Sequence, residues 1–356
     1  MTSRAAATAV PRARRGSHPA RIPVTVSAAL LLGAMVLAVA IGPVREPLGS
    51  VVGTVLAHLP LIGYHTSTTP LDQAIVWDLR LPRVALAALV GAMLSAGGAS
   101  YQGVFRNSLA DPYLLGAAAG AGLGATIAIV AGGRGSLVLP AAAFAGAVVA
   151  VTMTYVVAAA GAGRSAGYAI VVAGIAVTGM FTAVQTYLQQ QNTDEIRQIY
   201  NWLLGSFSVA TWADVRLVLP YLAVSAGVLL AHRRILDVLR VGPDEAGALG
   251  IHPERTRLII VGAATLGTAA AVSVSGLIGF VGVIVPHAVR LLAGASYRIV
   301  LPVSMLGGAA FMVLADLLAR TVQSPTELPI GVVTAAIGAP FFLFVLRSRR
   351  TRQGVL

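Results

Sequence analysis

The chain has 356 residues, of which 57% are hydrophobic and 11% are charged, and it contains no cysteine. This balance is too apolar for a soluble domain, and the lack of cysteine excludes disulfides and thiolate-ligated metal sites. The formal net charge of +12 could indicate a nucleic-acid partner, but the arginines are distributed among short loops and the two termini. The composition therefore predicts a protein that crosses a membrane several times.

All 25 basic residues are arginine. A phosphate-binding loop of the form GxxxxGK[ST] requires lysine, so this chain has none. If the protein uses ATP, hydrolysis with Mg²⁺ must take place on another chain, and we expect no cofactor and no metal on this one.

The elements predicted in chain order are apolar helices. Residues 1–21 form a basic segment, and the apolar stretch after it is too long for a cleaved secretory signal, so we expect a retained first span. A crossing needs about 20 residues. The apolar segments, one of them short, lie at 22–41, 84–105, 113–132, 137–160, 168–189, 214–232, 258–284, 286–294, 299–319 and 329–346. We therefore predict an all-α polytopic membrane protein of about ten transmembrane helices, with one domain over 22–346 and a basic tail over 347–356.

Two stretches between these segments are more polar. Residues 44–79 contain several prolines and are expected on the external side. Residues 190–213 combine glutamines and acidic residues with Trp202 and Trp212. This composition predicts a short external amphipathic helix that lies at the membrane interface.

The positions of the arginines indicate the orientation. They concentrate at both termini and near Arg106, Arg164, Arg240 and Arg257, in loops that alternate with loops poorer in arginine. Positive charge accumulates on the cytoplasmic side of membrane proteins. We therefore expect a multi-pass protein of the plasma (inner) membrane with both termini in the cytoplasm. The basic excess then follows from topology, which argues against a nucleic-acid partner.

The stretch Val241–Arg255 is a polar island between two apolar segments, on the expected cytoplasmic side. Pro243 suits a first helical position, the two acidic residues after it suit a helix start, and Gly250 suits a helix end. The pattern predicts a short helix over 243–250. Such a helix, tethered at both ends, is suited to being held by another protein; an ordinary capped turn is the alternative.

Other polar residues lie near the ends of the predicted spans. Arg106-Asn107 and Asp111-Pro112 form a connection that we interpret as a capped turn with an Arg106–Asp111 pair. Pro286, His287 and Arg290 lie where one predicted crossing ends and the short one begins, which favours a hydrogen-bonded junction over a proton relay or a metal site. Asp316 and Arg320 are four residues apart and can pair on one helix face.

Arg80, Arg83 and Arg320 are expected on the external side, where positive charge is disfavoured. They could anchor to lipid headgroups, or they could form a docking surface for an acidic soluble partner. Overlapping GxxxG motifs at Gly116–Gly124, and glycines at 276, 279 and 282, are assigned to close helix packing.

The sequence shows no catalytic constellation. The histidines do not cluster at metal-ligand spacing, and Ser275 has no patterned base. These observations argue against an intramembrane hydrolase. A proton-coupled carrier should have carboxylates in mid-span; Asp316 is the candidate, but it lies near a helix end with Arg320 available.

Six segments, in order, resemble the FecCD family of permease subunits of type II ABC importers, which take up iron-siderophore complexes, haem or cobalamin. The segments are LRLPR at 79–83, GxxxxxGGASYQGVFRNSLADPYLLG at 91–116, DEAGALG at 244–250, GLIGFVGVIVPHAVRLLAG at 276–294, ADLLAR at 315–320 and ELPIGVVTAAIGAPFF at 327–342. They cover nearly everything after residue 70. Ser108 departs from the family pattern, which often has proline at this position.

The resemblance implies a ten-helix permease that works as a homodimer or heterodimer with the pathway at the interface, and that is not itself an enzyme. Two cytoplasmic ATPase subunits and an external substrate-binding protein are the implied partners. The cargo would be an iron-siderophore complex, with cobalamin or haem as alternatives. The loop Gly161–Ala166 would lie near the cytoplasmic gate.

The resemblance also assigns roles to individual residues. The residues of the implied ATPase-coupling helix are Pro243, Asp244, Glu245, Ala246, Leu249 and Gly250. The residues implied to dock the binding protein are Arg80, Arg83 and Arg320. The signature residues are Arg106, Asn107, Asp111, Pro112, Pro286, His287, Arg290 and Asp316.

Overall fold

The computed structural model describes residues 21–42, 47–58, 68–133, 135–161 and 166–353. Most of the predicted N-terminal basic segment, the last three residues of the tail and the centre of the predicted gate loop lie outside these ranges. The described residues form helices and contain no β-strand. The helices are α1 (Arg21–Ala40), α2 (Leu48–Ala57), α3 (Pro70–Ala74), a π-helical segment (Ile75–Arg80), α4 (Leu81–Val104), α5 (Ala117–Val130), α6 (Val138–Gly161), α7 (Ala166–Gln191), α8 (Ile196–Leu203), α9 (Trp212–Leu239), α10 (Pro243–Ala248), α11 (Pro253–Ser275), α12 (Val281–Ala293), α13 (Tyr297–Thr321) and α14 (Ile330–Gln353).

The lengths of these helices fit a multi-pass membrane protein. Seven described helices are long and apolar enough to cross a bilayer, and three shorter apolar helices, α5, α12 and the first part of α14, lie between or after them. The all-α prediction and the approximate number of ten crossings are confirmed. The predicted amphipathic helix within 190–213 is α8, and its Trp202 packs on the protein core.

The helix α4 forms the centre of the bundle and is buried along most of its length. It crosses α13 at Gly91 and Gly308, and it crosses α12 at Gly98 and Gly282. At both crossings an added Cβ would overlap a carbonyl oxygen of the facing helix. Backbones that pack this closely replace the hydrophobic driving force that is missing between helices in lipid.

Several predicted span boundaries were wrong, most clearly those before α4 and between α11 and α12. The span predicted at 84–105 begins earlier, because α3, the π-helical segment and α4 form one continuous helical run from Pro70 to Val104. The span predicted at 258–284 ends at Ser275, and the short crossing predicted at 286–294 begins at Val281. The apolar sequence continues through 276–284, so no polar residue marked this break.

The residues between α11 and α12 form a non-helical break inside the bundle, at 276–280. Gly276 has a φ of +70°, and an added Cβ would overlap the carbonyl oxygen of Trp202, so glycine is required by conformation and by space. Gly276 and Gly282 therefore do pack closely, Gly276 from a non-helical turn, whereas an added Cβ at Gly279 meets nothing within 4 Å, so the assignment of Gly279 to close packing was wrong.

Candidate functional site

The predicted polar island contains a short helix, α10, held between α9 and α11. Its end is a complete Schellman motif. Ile251 N donates to Ala246 O at 3.0 Å, and Gly250 N donates to Gly247 O at 2.9 Å with Gly250 at a φ of +76°. Ala246 is fully buried, whereas Leu249 is 69% exposed. The motif thus fixes where the helix ends and leaves an apolar side chain outside the core.

The residues before α10 are joined to the start of α13. Arg240 donates to Ala295 O, and its guanidinium lies 6.0 Å from the centre of the Tyr297 ring. Asp237 accepts from Ser296 Oγ at 2.7 Å and from Tyr297 N at 2.6 Å. These bonds join the end of α9, just before α10, to the corner between α12 and α13.

A polar network continues from this corner into α4. Arg290 donates to Tyr297 OH at 3.0 Å and to Gln102 Oε1. Gln102 in turn donates to Ala110 O at 3.3 Å and to Gly282 O at 3.1 Å. Sequence reasoning singled out Arg290 but missed Gln102 and Tyr297, since neither carries a charge.

The connection between α4 and α5 contains the other predicted signature residues. Asn107 Oδ1 accepts from Leu109 N at 2.9 Å, and Asp111 Oδ1 accepts from Tyr113 N at 2.8 Å. The predicted Arg106–Asp111 pair is not among the ion pairs of the described residues. The turn is instead closed by side chain to backbone bonds, because Asn and Asp are well placed to bond amides two residues ahead.

This connection folds back against the break at 276–280. Pro112 contacts Gly282, and Tyr113 OH donates to Ile278 O at 3.0 Å and accepts from Ile278 N at 3.2 Å. Non-helical backbone at membrane depth must find partners within the protein, and Tyr113 supplies both for Ile278. Tyr113, like Gln102 and Tyr297, is a functional candidate that the sequence did not single out.

Pro286 and His287 were predicted at a junction between two crossings, but they lie within α12. The His287 ring is buried and meets the Phe341 ring edge-on, with ring centres 6.1 Å apart. Phe280 of the break meets Phe342 on the same helix, α14. No group of three His, Cys, Asp or Glu residues in the described parts of the chain could hold a metal ion.

At the opposite end of the bundle, near α8, Arg80 and Arg320 close the end of α1. Arg80 donates to Val39 O at 2.7 Å and to Ala40 O at 3.2 Å, and Arg320 donates to Ala38 O. Both side chains are buried, with 6% and 3% exposure. The last carbonyls of a helix lack partners within the helix and attract positive charge. These two guanidinium groups therefore bind within the chain, and the side of the membrane on which they lie stays a prediction.

Arg83 joins two acidic residues from distant parts of the chain. Its guanidinium donates to both oxygens of Asp316, at 3.0 and 3.1 Å from Nε, and to Glu327 Oε1 at 2.7 Å. The predicted pair of Asp316 with Arg320 is present at 3.8 Å, but Arg83 is the closer partner of Asp316. A carboxylate held in this way is unsuited to carrying protons through the membrane.

Arg80, Arg83 and Arg320 share the wall of one cavity of about 530 Å³ at this end. The other lining residues that the structure describes are Ile75, Asp78, Leu79, Glu327 and the loop residues 208–211. The cavity thus brings the three predicted docking residues together, although each guanidinium is already bound within the chain.

The bundle, its central glycine contacts and its tethered α10 define a class of protein, the polytopic membrane permease. A family model described as the FecCD transport family matches residues 28–348. The cobalamin import system permease protein BtuC of Halobacterium salinarum is 44% identical over 280 residues, which cover 79% of this chain and 75% of that protein. The hemin transport system permease protein HmuU of Yersinia pestis is 37% identical over 306 residues, covering 82% and 89%.

A solved structure described as an inward-facing metal-chelate type ABC transporter superposes with a TM-score of 0.81 at 28% identity, covering 92% of this chain and 99% of the other. The chain belongs to the FecCD transport family. It is a multi-pass permease subunit of an ABC importer.

Proposed function

We propose that this permease moves a metal chelate across the plasma membrane in an assembly with a second permease subunit, ATPase subunits and a substrate-binding protein. The observation that carries the proposal is the similarity to a metal-chelate type transporter over 92% of the chain. The cargo is an iron-siderophore complex, with cobalamin or haem as alternatives. The 44% identity to a cobalamin permease makes cobalamin the first alternative to measure.

Within this function, α10 transmits movement of the ATPase to the membrane helices. Three features support the role: the exposed Leu249, the fixed helix end at Gly250, and the bonds from Arg240 and Asp237 to the start of α13. Because the end of α10 is fixed and its neighbouring residues are bonded to the corner between α12 and α13, α10 can transmit a displacement to that corner without unfolding.

Uptake by the co-purified complex, reconstituted in vesicles with ATP, tests both proposals. Wild type should accumulate one of three labelled cargoes, and Leu249→Arg should abolish uptake by disturbing the exposed contact. Gly250→Pro should do the same, because proline removes the donor to Gly247 O and cannot adopt a positive φ. Gly250→Asn is the matched control, since asparagine tolerates this conformation.

Two results would count against these roles. If no labelled cargo accumulates although the complex hydrolyses ATP, the cargo class is wrong. If Leu249→Arg and Gly250→Pro retain both uptake and bound ATPase, α10 does not couple the two.

We further propose that the binding protein docks over the cavity that contains Arg83. The arginines are held by intrachain partners, so their guanidinium groups have fixed positions on the wall, beside Asp78 and Glu327, and an acidic group of the partner would approach them. Leu79 lies on this wall and is largely exposed, so Leu79→Glu adds negative charge without breaking any internal pair. An exposed charge contact is worth about 0.2–1 kcal/mol, so we expect affinity to fall about two- to fivefold at low salt.

Leu71→Glu is the matched control, because Leu71 is as exposed as Leu79 but does not line the cavity. Binding of the purified partner to vesicles would be measured at low and moderate salt. If the binding protein had the same affinity for Leu79→Glu and Leu71→Glu, the docking proposal would be wrong, and the arginines would have a structural role only.

A further inference from the structure

A second cavity lies at the α10 end of the bundle. It has a volume of about 750 Å³ and is bounded by the ends of α4 and α6, the first turns of α7 and α11, and the connection after α4. Its charged lining residues are Arg106, Arg255, Arg257 and Glu254. The assigned roles of α10 and of the Arg83 cavity do not involve this space.

The charges of this cavity are not balanced within the described chain. Three arginines face one glutamate, and among the described residues none of the three arginines forms an ion pair or donates a side-chain hydrogen bond. Arg257 Nε is buried without a hydrogen-bond partner. A buried donor without a partner costs free energy, so the site favours an anion with several acceptor oxygens.

Apart from Asn107, the remaining walls of the cavity are apolar, and they extend toward the middle of the bundle. Tyr155 lies six residues before the end of α6, which places it about 9 Å deeper along the axis. Leu114, Ala158, Ile170 and Leu258 complete the apolar lining. The cavity therefore has a cationic mouth and an apolar interior, and the matching ligand is an amphiphile with an anionic head.

We propose that this cavity binds an anionic phospholipid, with its phosphate at Arg255 and Arg257 and an acyl chain along Tyr155 and Leu258. Basic pockets between transmembrane helices are suited to acidic headgroups, and each arginine near such a headgroup contributes a factor of about five in affinity. Because the cavity lies between the start of α11 and the ends of α4 and α6, a bound lipid would fix the helix that follows α10.

Native mass spectrometry of the full-length chain, released from detergent containing defined lipids, tests the proposal. Wild type should retain phosphatidylglycerol in preference to phosphatidylcholine. Arg255→Gln with Arg257→Gln should weaken retention of phosphatidylglycerol about 30-fold and leave phosphatidylcholine unchanged. Arg298→Gln is the matched control, since Arg298 is an exposed arginine at the same end but outside the cavity.

A second variant separates a seated lipid from general attraction to positive charge and from a folding defect. Leu258→Trp places a larger side chain on the cavity wall and keeps all its charges, so it should also weaken lipid retention while thermal unfolding stays like wild type. Glycerol phosphate in place of the lipid tests the head alone and should compete weakly. Any of four results would overturn the proposal. Wild type could retain both lipids equally, or Arg298→Gln could lose phosphatidylglycerol as strongly as the double variant. Glycerol phosphate could displace the lipid fully, or Leu258→Trp could retain the lipid like wild type.

Discussion

At the residue scale, the arginines near α8 serve the fold through contacts that join distant parts of the chain. Arg80 and Arg320 bind carbonyls in the last turn of α1, and Arg83 binds carboxylates that follow it by more than 200 residues. Bidentate contacts of this kind use the planar geometry of arginine, which lysine lacks. The positive charges of these arginines are therefore stabilised by contacts within the chain, whether or not a partner protein also binds them.

The pair between Arg83 and Asp316 gives a stability prediction. Asp316 is almost fully buried, so Asp316→Ala leaves Arg83 and Arg320 without their shared partner and should lower the free energy of unfolding by about 3–5 kcal/mol. Glu327→Ala is the control, because Glu327 binds the same guanidinium but is 34% exposed; its loss should cost about 1 kcal/mol or less. Unfolding in detergent measures both, and equal losses would show that burial does not decide the effect.

At the element scale, the crossings of α4 depend on glycines that remove side-chain volume. Gly98 faces the backbone of Gly282, and Gly91 faces that of Gly308. Gly91, Gly98 and Gly282 lie in the segments that resemble the family, whereas Gly308 lies in none of them. The sequence could not show which pairs meet, since the partners lie on other helices. The same holds for the overlapping GxxxG motifs, in which Gly120 meets Gly146 of α6 whereas Gly116 adopts a positive φ before α5.

A pair of alanine substitutions tests this packing. Gly98→Ala would place a Cβ on the carbonyl of Gly282, so the helices must separate, at a cost of about 1–3 kcal/mol. Gly262→Ala in α11 is the matched control. An added Cβ there meets nothing within 4 Å, and alanine favours the helix by up to about 1 kcal/mol. Measured by unfolding in detergent, Gly98→Ala should lower the stability, and Gly262→Ala should raise it or leave it unchanged. A Gly98→Ala protein as stable as wild type would argue against tight packing at this crossing.

The sequence predicted individual elements with unequal success, for physical reasons. Helix α10 was predicted because proline, acidic residues and glycine mark its two ends. The break at 276–280 was missed because Tyr113, from the connection between α4 and α5, bonds both backbone groups of Ile278, so no local polar residue was needed. The contacts of Arg80 and Arg320 with α1 were not predicted, because their partners are backbone carbonyls of α1, which no sequence pattern indicates.

At the scale of the whole molecule, the described helices divide the loops between two ends. One end contains α10 and the connection after α4. The connection after α4 lines one cavity together with the start of α11, and Arg240, just before α10, bonds the residues before α13. The other contains α8, the loop 208–211 and Glu327. The distribution of arginine predicts that the α10 end faces the cytoplasm, and the proposed coupling and docking roles require the same orientation.

Single cysteines can test this orientation, because the natural chain contains none and each introduced thiol is then unique. Leu109 and Leu249 are exposed at the α10 end, and Val209 and Val322 are exposed at the α8 end. An impermeant maleimide applied to intact cells should label Val209→Cys and Val322→Cys but neither leucine variant. After permeabilisation all four should react, which shows that each thiol is accessible. Leu109→Cys provides a second reporter if an ATPase covers Leu249. Labelling of both leucine variants in intact cells would invert the topology, and it would remove the coupling role of α10 together with the docking role of the Arg83 cavity.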